Sequence, residues 1–420
     1  MRTYRELFRT PEFLPFFTTV SVQVAAQTAT GLALGTLVYA STGSPLLSAL
    51  AMFGPSLAQV AGALTLLSAA DRLPPRATLT GLALLYALGT GVQAVPGLPL
   101  GAAFAVLLAL GVASSLGGGV RYGLLNEILP RHGFLLGRSV LNMSVGTMQI
   151  AGFAVGGVLV TALSARGTLL VGAGLYVVAA ALARFGLTAR PPRATGRASV
   201  RETWRTNALL WSSAPRRSVY LALWVPNGLV VGCESLYVAY APEHAGLLFA
   251  CGALGMLAGD TLVGRFVPGR WRARLGAPLR LLLAAPYLLF ALDPGVPVAV
   301  VAVVLASVGF SASLLLQERL MALTPEELSG HALGLSSSGM LAMQGVGAAV
   351  AGSVAQLTSP GTGMAAVAAL SLAVTVALAP GLRAGRGQEA AAGRLQGDGS
   401  ADGSPEAPPH TKETKETKTS

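Results

Sequence analysis

Long apolar runs, parted by short polar turns, fill most of this chain. Twelve of them read as spanning helices: 14–40, 46–70, 77–95, 100–123, 139–163, 168–187, 219–240, 245–265, 277–292, 296–316, 332–357 and 364–382. A helix crosses a bilayer with roughly 20 apolar residues, and these runs come near that length. Pro and Gly mark turns at Thr42–Pro45, Pro96–Pro99, Asp293–Pro297 and Ser359–Gly363. Turns this short make neighbouring helices antiparallel hairpins. The predicted fold class is an all-α membrane protein with twelve transmembrane helices in two six-helix bundles.

Two segments depart from the pattern. Arg184 to Arg217 carries eight Arg and one Glu, with Pro191-Pro192 near its start. Within it, Ser199-Val-Arg-Glu202 has the form of a capping box and precedes Trp204, Leu209, Leu210 and Trp211. That reads as a short amphipathic helix on the membrane surface, Trp and Leu toward lipid and Arg toward headgroups. A flexible basic linker is the plainer alternative. From Gly385 the chain turns to Gly, Ala, Ser, Pro and charge, a composition that predicts disorder. The expected organisation is an N-terminal half at 1–187, a linker at 188–217, a C-terminal half at 218–384 and a tail at 385–420.

Charge orients this arrangement. Of the 29 Lys and Arg residues, 28 fall on the side where twelve spans put both termini, and only Arg166 falls on the other. Cytoplasmic loops are the ones enriched in Lys and Arg, so both termini are expected in the cytoplasm. Arg outnumbers Lys by 26 to 3, which fits a GC-rich bacterial genome and a bacterial inner membrane. The net charge of +11 does not point to nucleic acid, because the basic residues sit in short loops between apolar segments. Met1 to Phe17 is amphipathic and charged, without the apolar core of a signal peptide. Cys233 and Cys251 lie inside apolar segments and read as small hydrophobes. His132, His244, His331 and His410 are scattered, so no metal spacing appears. No phosphate-binding G-x-x-x-x-G-K-[ST] occurs and no nucleophile–base arrangement is readable, so neither enzyme activity nor a cofactor is expected.

The halves repeat. Met148-Gln-Ile-Ala-Gly-Phe-Ala-Val-Gly-Gly157 and Met343-Gln-Gly-Val-Gly-Ala-Ala-Val-Ala-Gly352 share six of ten residues at an offset of 195, the offset that also matches Pro130 with Pro325. Gly31-Leu-Ala-Leu-Gly35 corresponds to Gly228-Leu-Val-Val-Gly232 at 197, and Arg72 to Arg265 at 193. The common offset predicts a duplicated six-span unit.

Twelve spans, a duplicated half and a basic central loop resemble the major facilitator superfamily. Asp71-Arg72-Leu-Pro-Pro-Arg76 is similar to the family's G-x-L-A-D-R-x-G-R-R loop, with Leu67 for the leading Gly and Pro74-Pro75 for Gly-Arg. Gly152-Phe-Ala-Val-Gly-Gly157 resembles the G-P-x-x-G-G stretch of drug/proton antiporters, with Phe153 for Pro. Leu124-Leu-Asn-Glu-Ile-Leu-Pro130 and Leu136-Gly-Arg-Ser-Val140 resemble the span 4–5 loop of the drug-efflux branch. The resemblance covers about residues 1–385. It implies two halves working by alternating access, and an inner gate that includes Asp71, Arg72 and Arg76.

Charges inside spans are expensive unless paired or wet, so each is a functional candidate. Glu234, in span 7, is the first choice for a coupling proton, because a carboxylate withdrawn from water can take one up near neutral pH. A hydrogen bond to Tyr237 or the span 1 backbone is its structural alternative. Asp260, in span 8, is the second proton candidate, or else, as the resemblance implies, a latch to Arg138 at the foot of span 5, or a partner of Arg265. Arg121 either binds an anionic group, holds a carboxylate or snorkels. Gln149 and Gln344 occupy repeated positions, and with Asn142, Asn227, Gln23 and Gln27 they are cavity candidates. Asn227 follows Pro226, which is expected to open a local break. Gly152, Gly156, Gly157, Gly347 and Gly352 present flat faces for close helix approach. Gly117-Gly-Gly119 is expected to permit bending. The expected function is a secondary transporter, a monomer in the lipid bilayer, that exports small amphipathic organic molecules against protons. Uptake by the same fold is one alternative; an uncoupled sensor, scaffold or lipid-moving protein is the other.

Overall fold

The computed structural model describes residues 4–70, 73–129, 134–192, 200–325 and 328–398, and these contain helices and turns with no strand. The first half holds α1 (Tyr4–Arg9), α2 (Phe13–Thr42), α3 (Pro45–Ala70), α4 (Pro75–Gln93), α5 (Leu100–Ile128) and α6 (Phe134–Gly186). α7 (Val200–Ser212) links it to the second half. That half holds α8 (Ala214–Glu234), α9 (Tyr237–Tyr240), α10 (Ala245–Thr261), α11 (Gly269–Leu282), α12 (Val296–Gly309), α13 (Ala312–Ala322), α14 (Ser329–Leu357) and α15 (Pro360–Asp398).

Among the described residues, nine helical stretches are long and apolar enough to cross a membrane. One of them, Leu136–Gly186, is two spans, because Ser164 leaves the helical region at φ 76°, ψ 164° and turns the chain back. α2 and α4 complete the set, so the bundle fits twelve. α2 is less apolar because it is rich in hydroxyls, and these are satisfied within the helix. Thr19, Ser21, Thr30 and Thr36 each donate to the carbonyl four residues back at 2.7–2.9 Å.

The second half is built differently. Its first four spans are all interrupted. Ser235 and Leu236 separate α8 from α9, a π turn at Leu262–Phe266 ends α10, α11 gives way to a 3₁₀ helix at Ala285–Leu292, and Phe310–Ser311 separate α12 from α13. Serines patch two of the breaks: Ser235 Oγ donates to the Gly232 carbonyl and Ser311 Oγ to the Val308 carbonyl, each at 2.7 Å. The break expected at Pro226 is therefore misplaced. α8 runs unbroken through Pro226, with Asn227 Nδ2 donating to the Leu223 carbonyl at 2.7 Å. α5 likewise continues through Gly117–Gly119, where flanking apolar packing outweighs glycine's poor propensity. α15 runs on to Asp398, past the expected onset of disorder, through the strong helix formers Glu389-Ala-Ala-Ala392.

α2 packs on both arms of α6, and α8 packs on α14 and α15. The halves meet where α3 packs on α14 and α6 on α10. Several repeated glycines do equivalent work. Within the halves, Gly152 of α6 approaches Thr28 of α2, and its repeat Gly347 of α14 approaches Gly228 of α8. Gly157 approaches Gly246 across the halves, and its repeat Gly352 approaches Leu46 across the other seam.

The end of the bundle that carries α1 and α7 is here termed the near end. At the far end one buried cluster joins the halves, with Leu32, Met52, Phe53 and Phe153 packed among Tyr237, Phe249 and Ala355. Tyr39 Oη donates to the Ala239 carbonyl at 3.4 Å and Ser44 Oγ to Gln356 Oε1 at 2.7 Å across the same region. At the near end each half has its own core: Leu7, Phe16, Leu124 and Leu187 in the first, Leu210, Tyr220, Leu223 and Leu320 in the second. Among the described residues, the core that joins the halves lies at the far end and the near-end cores belong to one half each; the space between the halves is termed the cleft.

α7 corrects part of its expected role. Leu210 is fully buried and Trp211 stacks on Trp224 at 5.4 Å and 9°, so these two face protein instead of lipid. Trp204 and Leu209 remain exposed. Ser199, the expected cap, lies outside the described residues.

Candidate functional site

The cleft is lined by polar side chains on a few helix faces. Along the first arm of α6, Arg138, Asn142 and Gln149 fall within about 40° of one another at 100° per residue. They point between Gly156, which meets α2, and Phe153 and Gly157, which meet α10. That direction is the cleft. Asn142 and Gln149 are exposed there, as is Gln27 of α2. Gln344 of α14 is half-buried and Gln23 is buried. Asn227 is committed elsewhere: its Nδ2 also donates to Ser313 Oγ at 2.9 Å, tying α8 to α13.

Glu234 is the last residue of α8, at the break before α9. It is 8% exposed, and its Oε1 is buried with no hydrogen-bond partner. The hydrogen bond expected from Tyr237 is absent. The Tyr237 hydroxyl instead pairs with that of Tyr287, both side chains being buried. Sequence reasoning missed Tyr287, since its only signal was a tyrosine in an apolar run.

Asp260 is exposed and makes no ion pair with Arg138 or Arg265. Arg138 lies over the Tyr122 ring at 5.3 Å. Phe153 and Phe249 stack across the halves at 4.6 Å. Asn142 and Asp260 each lie eleven residues from that stack toward the near end, about 16 Å along their helices. Arg138 is one turn further.

Arg121 holds no carboxylate among the described residues. Its Nε is buried without a hydrogen-bond partner, and the phenols of Tyr86, Tyr122 and Tyr176 are its electrostatic neighbours. Of the inner-gate set, Asp71 and Arg72 lie outside the described residues. Arg76 Nη1 donates to the Leu187 carbonyl at 3.5 Å, and Arg265 is exposed in the π turn.

Two near-end ion-pair systems went unread in the sequence. Arg190 holds Glu12 through a two-pronged contact at 2.8 and 3.2 Å, and its Nε approaches Glu127 at 3.5 Å. Burial alone would raise the Glu12 carboxyl. The hydrogen bonds from Arg190 and Thr188 outweigh it and hold Glu12 below the usual carboxylate range. In the second half Arg272 pairs with Glu318 at 2.8 Å.

The sequence model described as Major Facilitator Superfamily matches residues 16–317. The chain belongs to the major facilitator superfamily. No curated protein matches it in sequence. Solved structures of the superfamily's fold match over most of its length. A POT family transporter in complex with a thioalcohol-conjugated peptide gives a TM-score of 0.68 at 11% identity, covering 87% of this chain and 95% of that one. The nucleoside transporter NupG gives 0.67 at 13%, covering 88% and 99%. A bacterial homolog of the human lysosomal transporter Spinster, in an inward-facing unoccupied conformation, gives 0.64 at 14%, covering 91% and 93%. At these identities the likeness shows the fold alone.

Proposed function

We propose that this superfamily member is a proton-coupled exporter of small amphipathic organic molecules, acting as a monomer with its near end in the cytoplasm of a bacterial cell. The observation that carries the coupling is Glu234. A carboxylate buried without a counter-ion is costly in its charged form, so it is stable there only when a proton or a cationic group neutralises it. It also sits at the break between α8 and α9, where a change of shape alters its access to water. The polar yet sparsely charged face of Arg138, Asn142 and Gln149 favours amphipathic substrates over highly charged ones. The open near end is the loading conformation. When the near ends close, α6 and α10 bring Asp260 level with Asn142, within one turn of Arg138, and the two charges latch the gate. Arg121, embedded among phenols, receives an anionic group of the substrate.

Glu234→Gln tests the coupling. It keeps size and hydrogen bonding and removes the titrating group. Proton-driven accumulation in vesicles should fail, while energy-independent exchange of substrate should survive. Wild-type pH-dependent transport in the purified variant, at equal protein level, would move the coupling role away from Glu234.

A further inference from the structure

We propose that the near-end wall of the second half carries a separate binding site for small amphiphiles whose polar head is an amine. A cavity of about 320 Å³ opens there between the end of α10, α13 and the start of α14. Its walls are apolar, from Leu314, Leu315 and Met321 of α13 and Leu333 of α14. Gln317 and Glu318 form its polar rim. These positions lie on one face of α13, while Leu316 and Leu320 on the other face are buried in the half's own core.

The cavity is a built feature. Arg272 fixes its floor with three contacts: Nε donates to the Val267 carbonyl at 2.9 Å, Nη2 to the Gly264 carbonyl at 2.7 Å, and Nη1 to Glu318 Oε1 at 2.8 Å. Two of these take up carbonyls at the end of the π turn, where the regular helix pattern leaves them without donors. π turns inside helices frequently mark functional sites. Arg272 therefore holds three spans in one geometry around an open space.

The chemistry of the rim selects the head group. Glu318 is an acceptor only, and Arg272 engages its Oε1, leaving Oε2 with its acceptor capacity. Gln317 is half-buried and makes no hydrogen bond among the described residues. A head that donates to both is complementary, and a carboxylate head is repelled by Glu318. Arg272 already offsets one negative charge, which fits a single amine better than a dication. The volume is at the lower end for small-molecule sites, so one ring on a short chain fills it.

The site stands apart from Glu234 and does not depend on which ion is coupled. The test uses the purified full chain and three probes differing only in the head: 4-phenylbutylamine, 4-phenylbutanol and 4-phenylbutyrate. Calorimetry should show the amine binding at least tenfold tighter than the alcohol, with the acid weakest. Glu318→Gln should erase that preference while leaving the alcohol unchanged. Leu314→Trp fills the cavity and spares the Arg272 contacts; it should weaken the amine at least tenfold, and Leu333→Phe should act likewise if the first variant folds poorly. Glu234→Gln should leave amine affinity intact. Equal affinity for the three probes, or amine binding unmoved by filling the cavity, overturns the site. Loss of amine binding in Glu234→Gln would place the amine in the transport path and overturn it too. Failure of proton coupling alone leaves it standing.

Discussion

On the proposed alternating access, Gly246→Ala should shift the protein toward a conformation with its near ends closed. A Cβ at position 246 would lie 2.5 Å from Gly157 Cα and 3.0 Å from the Phe153 carbonyl oxygen. Both neighbours are backbone, so no side chain can swing aside. The far ends of α6 and α10 must separate to admit the methyl. Overpacking of this kind costs about 1–3 kcal/mol. The strain falls only on the conformation in which these far ends touch, so the ratio of the two conformations shifts by about five- to 150-fold. Spin labels at Met143→Cys and Leu257→Cys, both exposed at the near end, report it in a background lacking Cys233 and Cys251. Double electron–electron resonance should show a shorter near-end distance gaining population. Gly81→Ala, with nothing within 4 Å of its added methyl, should leave the distribution unchanged. A folded Gly246→Ala protein with wild-type near-end distances would refute the idea that the α6–α10 contact closes the far end.

Three further outcomes follow from the same geometry. Glu12 has its carboxyl lowered in the folded protein, so its stabilisation is present above the unfolded value near pH 4.3 and is lost as pH falls through the folded one. Thermal unfolding in detergent should therefore show a drop in Tm below about pH 4.5 that Glu12→Gln lacks, and Arg190→Ala should cost about 1–3 kcal/mol at neutral pH. Asp260→Arg should lower transport by opposing Arg138 in the near-closed conformation, and the reversal Arg138→Asp with Asp260→Arg should recover part of it; no recovery at equal protein level counts against the latch. Reporter fusions at Arg76, Ala194 and Arg270 should read cytoplasmic and those at Pro96, Arg166 and Pro294 external, and reversal at two sites would break the orientation.

The helix bundle was legible in the sequence because it is written in exclusion. Charges are absent from long apolar runs, and the turns at Gly43 and Gly97, with φ of 63° and 77°, need residues that the chain supplies there. The repeat was legible because it is a packing repeat: Gly157 and Gly352 both serve cross-half seams, and glycine at a close backbone approach leaves a recognisable pattern. The breaks in the second half were not legible. Ser235 and Ser311 patch interrupted helices, yet a serine in an apolar run reads the same whether it patches a break or, like Ser21 in α2, bonds inside an intact helix. Proline misled for the converse reason: α8 runs unbroken through Pro226.

The site was half legible for a related reason. Glu234 stood out because a lone carboxylate in a span has few innocent explanations. Its surroundings did not, since Tyr287 reaches Tyr237 from fifty residues away and only the packing brings them together. The unread ion pairs share one property: Arg190 with Glu12, and Arg272 with Glu318, join segments distant in sequence within a basic surface where any Arg looks like any other. The first half's α2 to α5 are unbroken helices, and the second half's first four spans are all interrupted, with Glu234, the π turn and the near-end cavity at or beside those interruptions. Interrupted helices leave fewer backbone hydrogen bonds to hold their segments rigid and absorb rotation at the break. On the proposed function, the second half is therefore the one expected to change shape around a proton or ligand.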